Sequence, residues 1–366
     1  MNNIPGLRNL TIKLDPLDDI PDTNNLIEIS NLSVVNLMFS SNWPQTSIYF
    51  SGLSSTLKRI YLQNCTLTAD FFNTLPDSVE LISFYMVCLE KTFDRIRMPT
   101  CLNTLIIKEN PHFKTLPAVT NIKQLNNLYT VVFDLANGIP METVQCIILE
   151  LPTSVEELTL INDDDPVSNF QDDDYNYNYI NHPDELSYTH LKSLRKLSFS
   201  SSCFESSNFD LSKLPPVETL QFRVFPSLSG QFSDTLQMLD LNLQLYNGSF
   251  TSFWNLFIYK LDKLLRFKAK VNSQGTIDLR EISFSSHLVS FQLEFLPMGY
   301  NHSVYAGRLI INNIPSSLKF FGLCAPFYSS EGDYVIFVDQ SLGESVESLK
   351  DKIVMFPPVA FQFTCT

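Results

Sequence analysis

The stretch LPTSVEELTL, residues 151–160, joins a proline corner to a short extended segment. Its first half recurs as LPDSV from Leu75 and IPSSL from Ile314, and more loosely as MPTCL from Met98 and LPPV from Leu214. Proline fixes φ and disfavours helix for the residue before it. A following Ser or Thr can hydrogen-bond locally as the chain turns. The phrase therefore predicts a corner at which one segment ends and a strand begins.

The second half of the stretch carries an apolar frame, Val155, Leu158 and Leu160, with spacings of three and five residues from its first member. The frame occurs thirteen times, with starts 19 to 39 residues apart. The frames start at Leu7, Leu32, Leu57, Val79, Leu102, Leu128, Val155, Leu194, Val217, Leu236, Leu264, Leu288 and Leu318. Alternate residues of a strand point the same way, so Leu158 and Leu160 can enter a core while Glu157 and Thr159 face solvent. Because one segment cannot bury its apolar face alone, the recurrence predicts stacked repeats that form a parallel sheet.

The stretch LKRIYLQNCTL, from Leu57 to Leu67, matches the pattern L-x-x-L-x-L-x-x-N/C-x-L in full. On these residues the chain resembles the leucine-rich repeat family. The corner phrase LP-x-S-[VL] is similar to irregular eukaryotic repeats of fungal or amoebal type. The resemblance implies an α/β fold, a horseshoe-shaped solenoid with a concave parallel β-sheet and irregular or short-helical convex returns. It also implies a binding function.

Residues 1–328 are expected to form the solenoid of about thirteen repeats, and residues 329–366 to form a C-terminal capping segment that covers the last apolar edge. The segments ADFFNTL from Ala69 and FTSFWNLFIYKL from Phe250 have helix-like apolar spacing and are predicted returns. A short helix is predicted for GESVESLKDKI from Gly343. Before Leu7, the first residues are either a minimal cap or the junction with a further element.

The longest spacing between frames, 39 residues, contains an acidic insertion at residues 162–185. Its aspartates include Asp163, Asp164, Asp165, Asp172, Asp173 and Asp174. An insertion in a repeat array predicts an exposed loop, which is often a binding element. The aspartate runs and His182 are metal-ligand types, but the alternating pattern of a calcium loop is missing. We expect a solvated loop, with a loop that binds a partner or folds back on the concave face as alternatives.

The composition of the chain indicates which classes of partner are disfavoured and which compartment is expected. The net charge of -14 disfavours general nucleic-acid binding through phosphate contacts. The sequence has no apolar run long enough to span a membrane and no secretory signal pattern at its amino end. Seven cysteines without a CxxC pair predict reduced, mostly buried thiols. The expected compartment is the cytoplasm, with the nucleus left open.

Sequence motifs for catalysis are missing. The chain contains no HExxH, GxSxG, GxxxxGK[ST] or GxGxxG pattern. Glu80, Glu156 and Glu157 follow corner phrases, but no second acid recurs at a place useful for acid–base catalysis. We therefore expect a protein that is not an enzyme and that has no cofactor and no metal.

Outward strand positions supply the candidate contacts for a partner. The aromatic candidates are Tyr61 and Tyr85, and the basic candidates are Lys196, Arg223, Arg266, Lys268 and Lys270. Tyr and Arg are favoured residue types at protein interfaces. The sequence thus predicts a scaffold that binds a protein or peptide on its concave face, with Arg266, Lys268 and Lys270 as a polar contact strip.

Two other functions remain open. Leucine-rich repeats often receive substrates for ubiquitin ligases, so a substrate-recognition subunit with a ligase core as partner is one alternative, although no F-box-like segment precedes Leu7. A cell-surface or adhesive protein is the other, and the missing signal and anchor patterns count against it.

Overall fold

The described part of the chain covers most of the repeats and divides into two units. In the computed structural model the described residues are 7–14, 26–30, 33–42, 47–68, 70–89, 97–108, 121–134, 148–162, 188–201, 208–222, 227–244, 250–272, 276–278, 282–295, 308–311, 317–324, 335–338, 353–356 and 362–365. Unit 1 is Met1–Cys203 and unit 2 is Phe204–Thr366.

Unit 1 consists of a main parallel sheet and a smaller second one. Its strands are β1 (Asn9–Leu14), β2 (Leu26–Ser30), β3 (Asn36–Ser41), β4 (Ser47–Ser51), β5 (Arg59–Gln63), β6 (Thr66–Leu67), β7 (Leu81–Tyr85), β8 (Cys88–Leu89), β9 (Thr104–Lys108), β10 (Thr130–Asp134), β11 (Glu157–Asn162) and β12 (Lys196–Ser201). The main sheet has the order β1-β3-β5-β7-β9-β10-β11-β12, and each neighbouring pair is parallel. The second sheet has the order β2-β4-β6-β8 and is also parallel.

Unit 2 repeats this arrangement. Its strands are β13 (Asn208–Asp210), β14 (Thr219–Phe222), β15 (Ser227–Ser229), β16 (Met238–Gln244), β17 (Arg266–Asn272), β18 (Thr276–Asp278), β19 (Ser290–Phe295), β20 (Arg308–Ile311), β21 (Phe320–Cys324), β22 (Val335–Val338), β23 (Ile353–Phe356) and β24 (Gln362–Cys365). The main-sheet order is β14-β16-β17-β19-β21-β23, with parallel neighbours. The remaining strands form the parallel pair β13-β15 and the parallel sheet β18-β20-β22-β24.

The predicted fold class, a leucine-rich repeat solenoid, is confirmed. Every main-sheet strand from β1 to β21 except β3 holds the last two residues of one predicted apolar frame, and one repeat separates each strand from the next. In β11, Leu158 is 0% exposed and Leu160 is 3% exposed. Their neighbours Glu157 and Thr159 are exposed and half-buried, as the alternation of a strand requires. Each repeat thus contributes one layer to the core of its own unit.

The second frame was predicted in the wrong register. The expected frame is Leu32, Val35 and Leu37, whereas the buried set is Val34, Leu37 and Phe39. Strand pairing fixes this shift, because Leu37 lies opposite Ile60 and Phe39 lies opposite Leu62. The core register therefore begins two residues later than the prediction.

The corner phrase makes hydrogen bonds to the preceding repeat rather than only local ones. In the copy LPDSV, residues 75–79, the Val79 amide donates to the Pro76 carbonyl at 3.1 Å and closes a turn. The Ser78 hydroxyl donates to the Leu57 carbonyl at 2.9 Å, 21 residues earlier in the chain. The prediction of a corner is correct, but the serine connects two repeats instead of bonding within its own turn.

The Asn/Cys position of the repeat pattern is apolar in the described repeats around β6 and β8. Cys65 takes this position after β5 and is 0% exposed, and Val87 takes it one repeat later and is 1% exposed. Asn64, beside Cys65, has a left-handed φ of 51° and donates its amide Nδ2 to the Ser41 carbonyl at 2.8 Å. The turn between the two sheets is therefore held by Asn64, while Cys65 fills the core.

The return segments combine short helices with the strands of the second sheets. The predicted helical returns are present as α1 (Phe71–Thr74) in unit 1 and as α2 (Phe250–Phe253) followed by a π-helix (Trp254–Ile258) in unit 2. Short 3-10 helices occur at Ile122–Gln124 and Leu211–Lys213. The sequence did not predict the second sheets, whose strands are as short as two residues.

Strand pairing extends into the segment predicted as a C-terminal cap. There, β23 continues the main sheet beside β21, and β22 and β24 continue the second sheet. The helix predicted from Gly343 covers residues 343–353. Residues 343–352 lie outside the described residues, and Ile353 is not helical but begins β23. A capping role for residues 329–366 remains a prediction.

Candidate partner-binding site

The outward face of the main sheet in unit 2 presents two parallel rows of side chains. The alternation that buries Leu239, Phe267 and Phe291 turns their sequence neighbours to the other side of the sheet. Strand register sets the first row as Gln221, Asp240, Lys268 and Gln292, and the second as Thr219, Met238, Arg266 and Ser290. Four consecutive strands, β14, β16, β17 and β19, therefore place these residues side by side.

These rows line an open depression of about 230 Å³. Its lining residues are Thr219, Leu220, Gln221, Met238, Leu239, Asp240, Arg266, Phe267, Lys268, Ser290 and Gln292. The charged members are two cations and one carboxylate, so the depression carries a net charge of +1 in a chain whose net charge is -14. It is a polar, weakly basic site of a size that suits one or two side chains of a partner.

Arg266 and Lys268 differ in their pairing from Lys196 and Lys270, the other basic candidates that lie among the described residues. Lys270 forms an ion pair with Glu294 at 3.1 Å, and Lys196 lies 3.6 Å from Glu157. Within the described residues, neither Arg266 nor Lys268 is within ion-pair distance of a carboxylate. Arg266 is exposed and Lys268 is half-buried. In the described part of the chain these two cations thus differ from Lys196 and Lys270 in having no ion-pair partner.

An aromatic cluster packs against the buried face of β17, the strand that carries both cations. Phe267 stacks on Phe291 with ring centroids 5.4 Å apart and an angle of 20° between the planes. Trp254 meets Phe267 edge-on at 5.0 Å, and its Nε1 donates to the Ser283 carbonyl at 3.1 Å. A side chain on a packed strand is positioned more narrowly than one on a loop. The strand that carries the cations is thus packed on its buried face against Trp254 and Phe291.

The aromatic candidates lie in unit 1. Tyr61 on β5 is half-buried, and its strand neighbours are Met38 and Ser83. Tyr85 on β7 lies opposite Gln63 and Lys108. In strand register it is two residues beyond Ser83, the residue opposite Tyr61. Both tyrosines lie on the outward face of the main sheet, as predicted.

Some of the predicted residues lie outside the described residues. These are Arg223 and the aspartates of the acidic insertion, Asp163, Asp164, Asp165, Asp172, Asp173 and Asp174. The site also includes residues that the sequence analysis did not select, among them Gln221, Met238, Ser290 and Gln292. The signal for them was present, because each holds the same outward position in its frame as Arg266 or Lys268.

The described residues contain no grouping of three or more His, Cys, Asp or Glu side chains that could hold a metal ion. Cys65, Cys88 and Cys101 are free thiols. Burial raises the pKa of the Cys65 thiol to about 12, which disfavours the thiolate that a nucleophile requires. Burial also raises the pKa of Cys88. Among the described helices, none is long and apolar enough to cross a membrane.

Taken together, the repeat geometry and the depression define a leucine-rich repeat solenoid with a candidate partner-binding face. The chain is similar to the circular leucine-rich repeat protein CroV588, at 15% sequence identity and a TM-score of 0.43, over 84% of this chain and 46% of that one. It therefore spans less than half the length of CroV588. No protein-family model and no curated protein matches the sequence.

Proposed function

We propose that this protein is a non-enzymatic scaffold that binds a protein or peptide on the outward face of its main sheet, centred on Arg266 and Lys268. The observation that carries the proposal is the pair of cations at the depression of unit 2, neither of which has a carboxylate at ion-pair distance within the described residues. Leucine-rich repeat solenoids commonly mediate protein–protein interactions, which supports the general class.

The chemistry of the depression favours an acidic contact on the partner. The two cations are two positions apart on one strand, so their Cα atoms are roughly 7 Å apart. A guanidinium can hold a carboxylate by two parallel hydrogen bonds, and an ammonium beside it adds a further donor. An Asp or Glu side chain, or a C-terminal carboxylate, fits this arrangement.

The uncharged lining adds the means to recognise a peptide backbone. The side-chain amides of Gln221 and Gln292 both donate and accept hydrogen bonds. Met238, on the strand between that of Gln221 and that of the cations, contributes an adaptable apolar surface. Asp240 opposes Lys268 across the strand pair and disfavours a ligand that is acidic throughout. The expected contact is one carboxylate embedded in a mixed polar and apolar segment.

The proposal is tested by crosslinked affinity purification from the native cell, with wild type and the Arg266→Glu/Lys268→Glu variant as baits. A matched control is Lys260→Glu/Lys263→Glu, which makes the same charge change at exposed positions outside the depression. We expect a partner recovered with wild type and control to be lost from the depression variant. Equal recovery with all three baits would contradict the assignment of the site.

A further inference from the structure

The outward face of the first five main-sheet strands of unit 1 has an unusual charge composition. Each of β1, β3, β5, β7 and β9 presents three outward positions. In chain order they are Asn9, Thr11, Lys13, Asn36, Met38, Ser40, Arg59, Tyr61, Gln63, Leu81, Ser83, Tyr85, Thr104, Ile106 and Lys108. Three of these residues are basic and none is acidic, although the whole chain has 39 acidic and 25 basic residues. The face is therefore locally cationic in an acidic protein.

The centre of this face is apolar. Met38 is 36% exposed, and Tyr61, Leu81 and Ile106 are half-buried at outward positions. Register places Met38 beside Tyr61, and Ser83 between Tyr61 and Ile106. A row of partly exposed apolar side chains gains free energy when a partner covers it, and such patches mark interaction surfaces.

The three cations lie at the margins of the apolar centre. Lys13, Arg59 and Lys108 are all exposed, and within the described residues none of them has a carboxylate at ion-pair distance. Lys58, next to Arg59, shows the contrast, because it pairs with Glu80 at 2.8 Å. Arg59 borders one side of the apolar row, while Lys13 and Lys108 border the other.

From this arrangement we infer that the face formed by β1, β3, β5, β7 and β9 binds an extended peptide segment whose sheet-facing residues include both apolar side chains and carboxylates. The inference rests on the proposed function as a protein-binding scaffold, but it uses residues of unit 1 alone. Apolar side chains of the segment pack on Met38, Tyr61 and Ile106. The carboxylates meet Arg59 on one side and Lys13 or Lys108 on the other.

The dimensions suit a short segment. Neighbouring strands lie about 4.8 Å apart, so the four intervals from β1 to β9 span roughly 19 Å. An extended chain advances about 3.3 Å per residue, so roughly six residues cross the face. Alternate residues of such a chain point to opposite sides, which brings every second side chain onto the sheet. A nucleic acid fits this face less well, because phosphate binding needs more cations and makes no use of an apolar centre.

Selection from a phage-displayed library of random 16-residue peptides on the full chain tests the inference. Selected peptides are then synthesised, and their Kd is measured by fluorescence anisotropy on wild type and on Arg59→Glu/Lys108→Glu. We expect sequences that mix apolar and acidic residues, and a loss of affinity of about ten-fold or more on the variant. Lys260→Glu/Lys263→Glu, with the same charge change, is expected to bind like wild type. Equal thermal unfolding of the proteins verifies that the folds are intact.

The results also separate this inference from the proposed function. Peptides that lose affinity on Arg266→Glu/Lys268→Glu and not on Arg59→Glu/Lys108→Glu would support the depression of unit 2 and overturn the unit 1 face. Peptides that bind all variants equally, or a selection without enrichment, would also overturn it. A non-acidic consensus bound at the unit 1 face would reject the stated peptide chemistry.

Discussion

The Ser154 hydroxyl donates a hydrogen bond to the Leu128 carbonyl at 2.9 Å, although the two residues are 26 positions apart. Leu128 opens one repeat, and Ser154 lies immediately before the residue that opens the next. The same bond occurs from Ser317 to Leu288 at 2.8 Å and from Thr235 to Val217 at 3.0 Å. The corner phrase of the sequence is thus a contact between repeats that recurs along each unit.

Replacing this serine should weaken the stack of repeats. Ser154→Ala removes the donor to a part-buried carbonyl, and we expect a loss of about 1 kcal/mol in the free energy of unfolding. Thr153→Ala, one residue earlier at an exposed position, is the control and should change stability by less than about 0.5 kcal/mol. Urea unfolding of both variants measures the difference. Indistinguishable stabilities would show that the bond contributes nothing.

A second matched pair tests the corrected register of the second repeat. Val34 is 2% exposed, whereas Val35 is half-buried. Val34→Ala deletes two buried methyl groups and should lower the free energy of unfolding by about 2 kcal/mol. Val35→Ala should cost less than half of that, since part of its side chain is already in water. If thermal or urea unfolding ranks the two variants in the opposite order, the register of β3 is wrong.

Tyr188 is expected to be a site where removing a polar group raises stability. It is 1% exposed, and its hydroxyl has no hydrogen-bond partner within the described residues. Burial also raises the pKa of this hydroxyl. Tyr188→Phe removes the unsatisfied group and should stabilise the fold by about 1 kcal/mol. Tyr129→Phe, at an exposed position, is the control and should leave the midpoint of unfolding unchanged. A clear loss of stability in Tyr188→Phe would mean that the Tyr188 hydroxyl has a hydrogen-bond partner.

Stability should fall in alkaline solution, in part through Cys65. Burial raises the pKa of its thiol from 9.0 to about 12, so between these values the unfolded chain releases a proton that the folded chain keeps. The folded state then binds more protons, and the free energy of unfolding decreases as pH rises from about 9 toward 12. Cys65→Val should flatten this dependence, whereas Cys101→Val, at an exposed position, should keep it. Parallel slopes for the two variants between pH 8 and 10.5 would contradict the assignment.

The sequence predicted the core of most repeats because frame spacing and strand alternation are local properties. It misplaced the second frame because Leu32, Val35 and Leu37 satisfy the same spacing as Val34, Leu37 and Phe39. Only burial against the next strand separates the two registers. The second sheets were not predicted, because strands such as β6 and β8 are too short to show the alternation of apolar and polar residues. These strands depend on pairing with neighbouring repeats.

The candidate site was predicted in part for the same reasons. Alternation alone places Arg266 and Lys268 on the outward face. Their neighbours Gln221 and Gln292 come from other frames, and the spacing between frames varies too much for the sequence to give the strand register. The pairing of Lys270 with Glu294 likewise required the register of β17 and β19.

Site-specific photo-crosslinking with a purified partner tests the central claim most directly. A benzoylphenylalanine photo-crosslinker is placed at Gln292, which lines the depression, or at Lys263, which is exposed at the corner before β17. We predict a covalent adduct with the partner from position 292 and none from position 263, and loss of the adduct when Arg266→Glu/Lys268→Glu is added. An adduct from position 263 alone, or one from position 292 that survives the double charge reversal, would contradict binding at this depression.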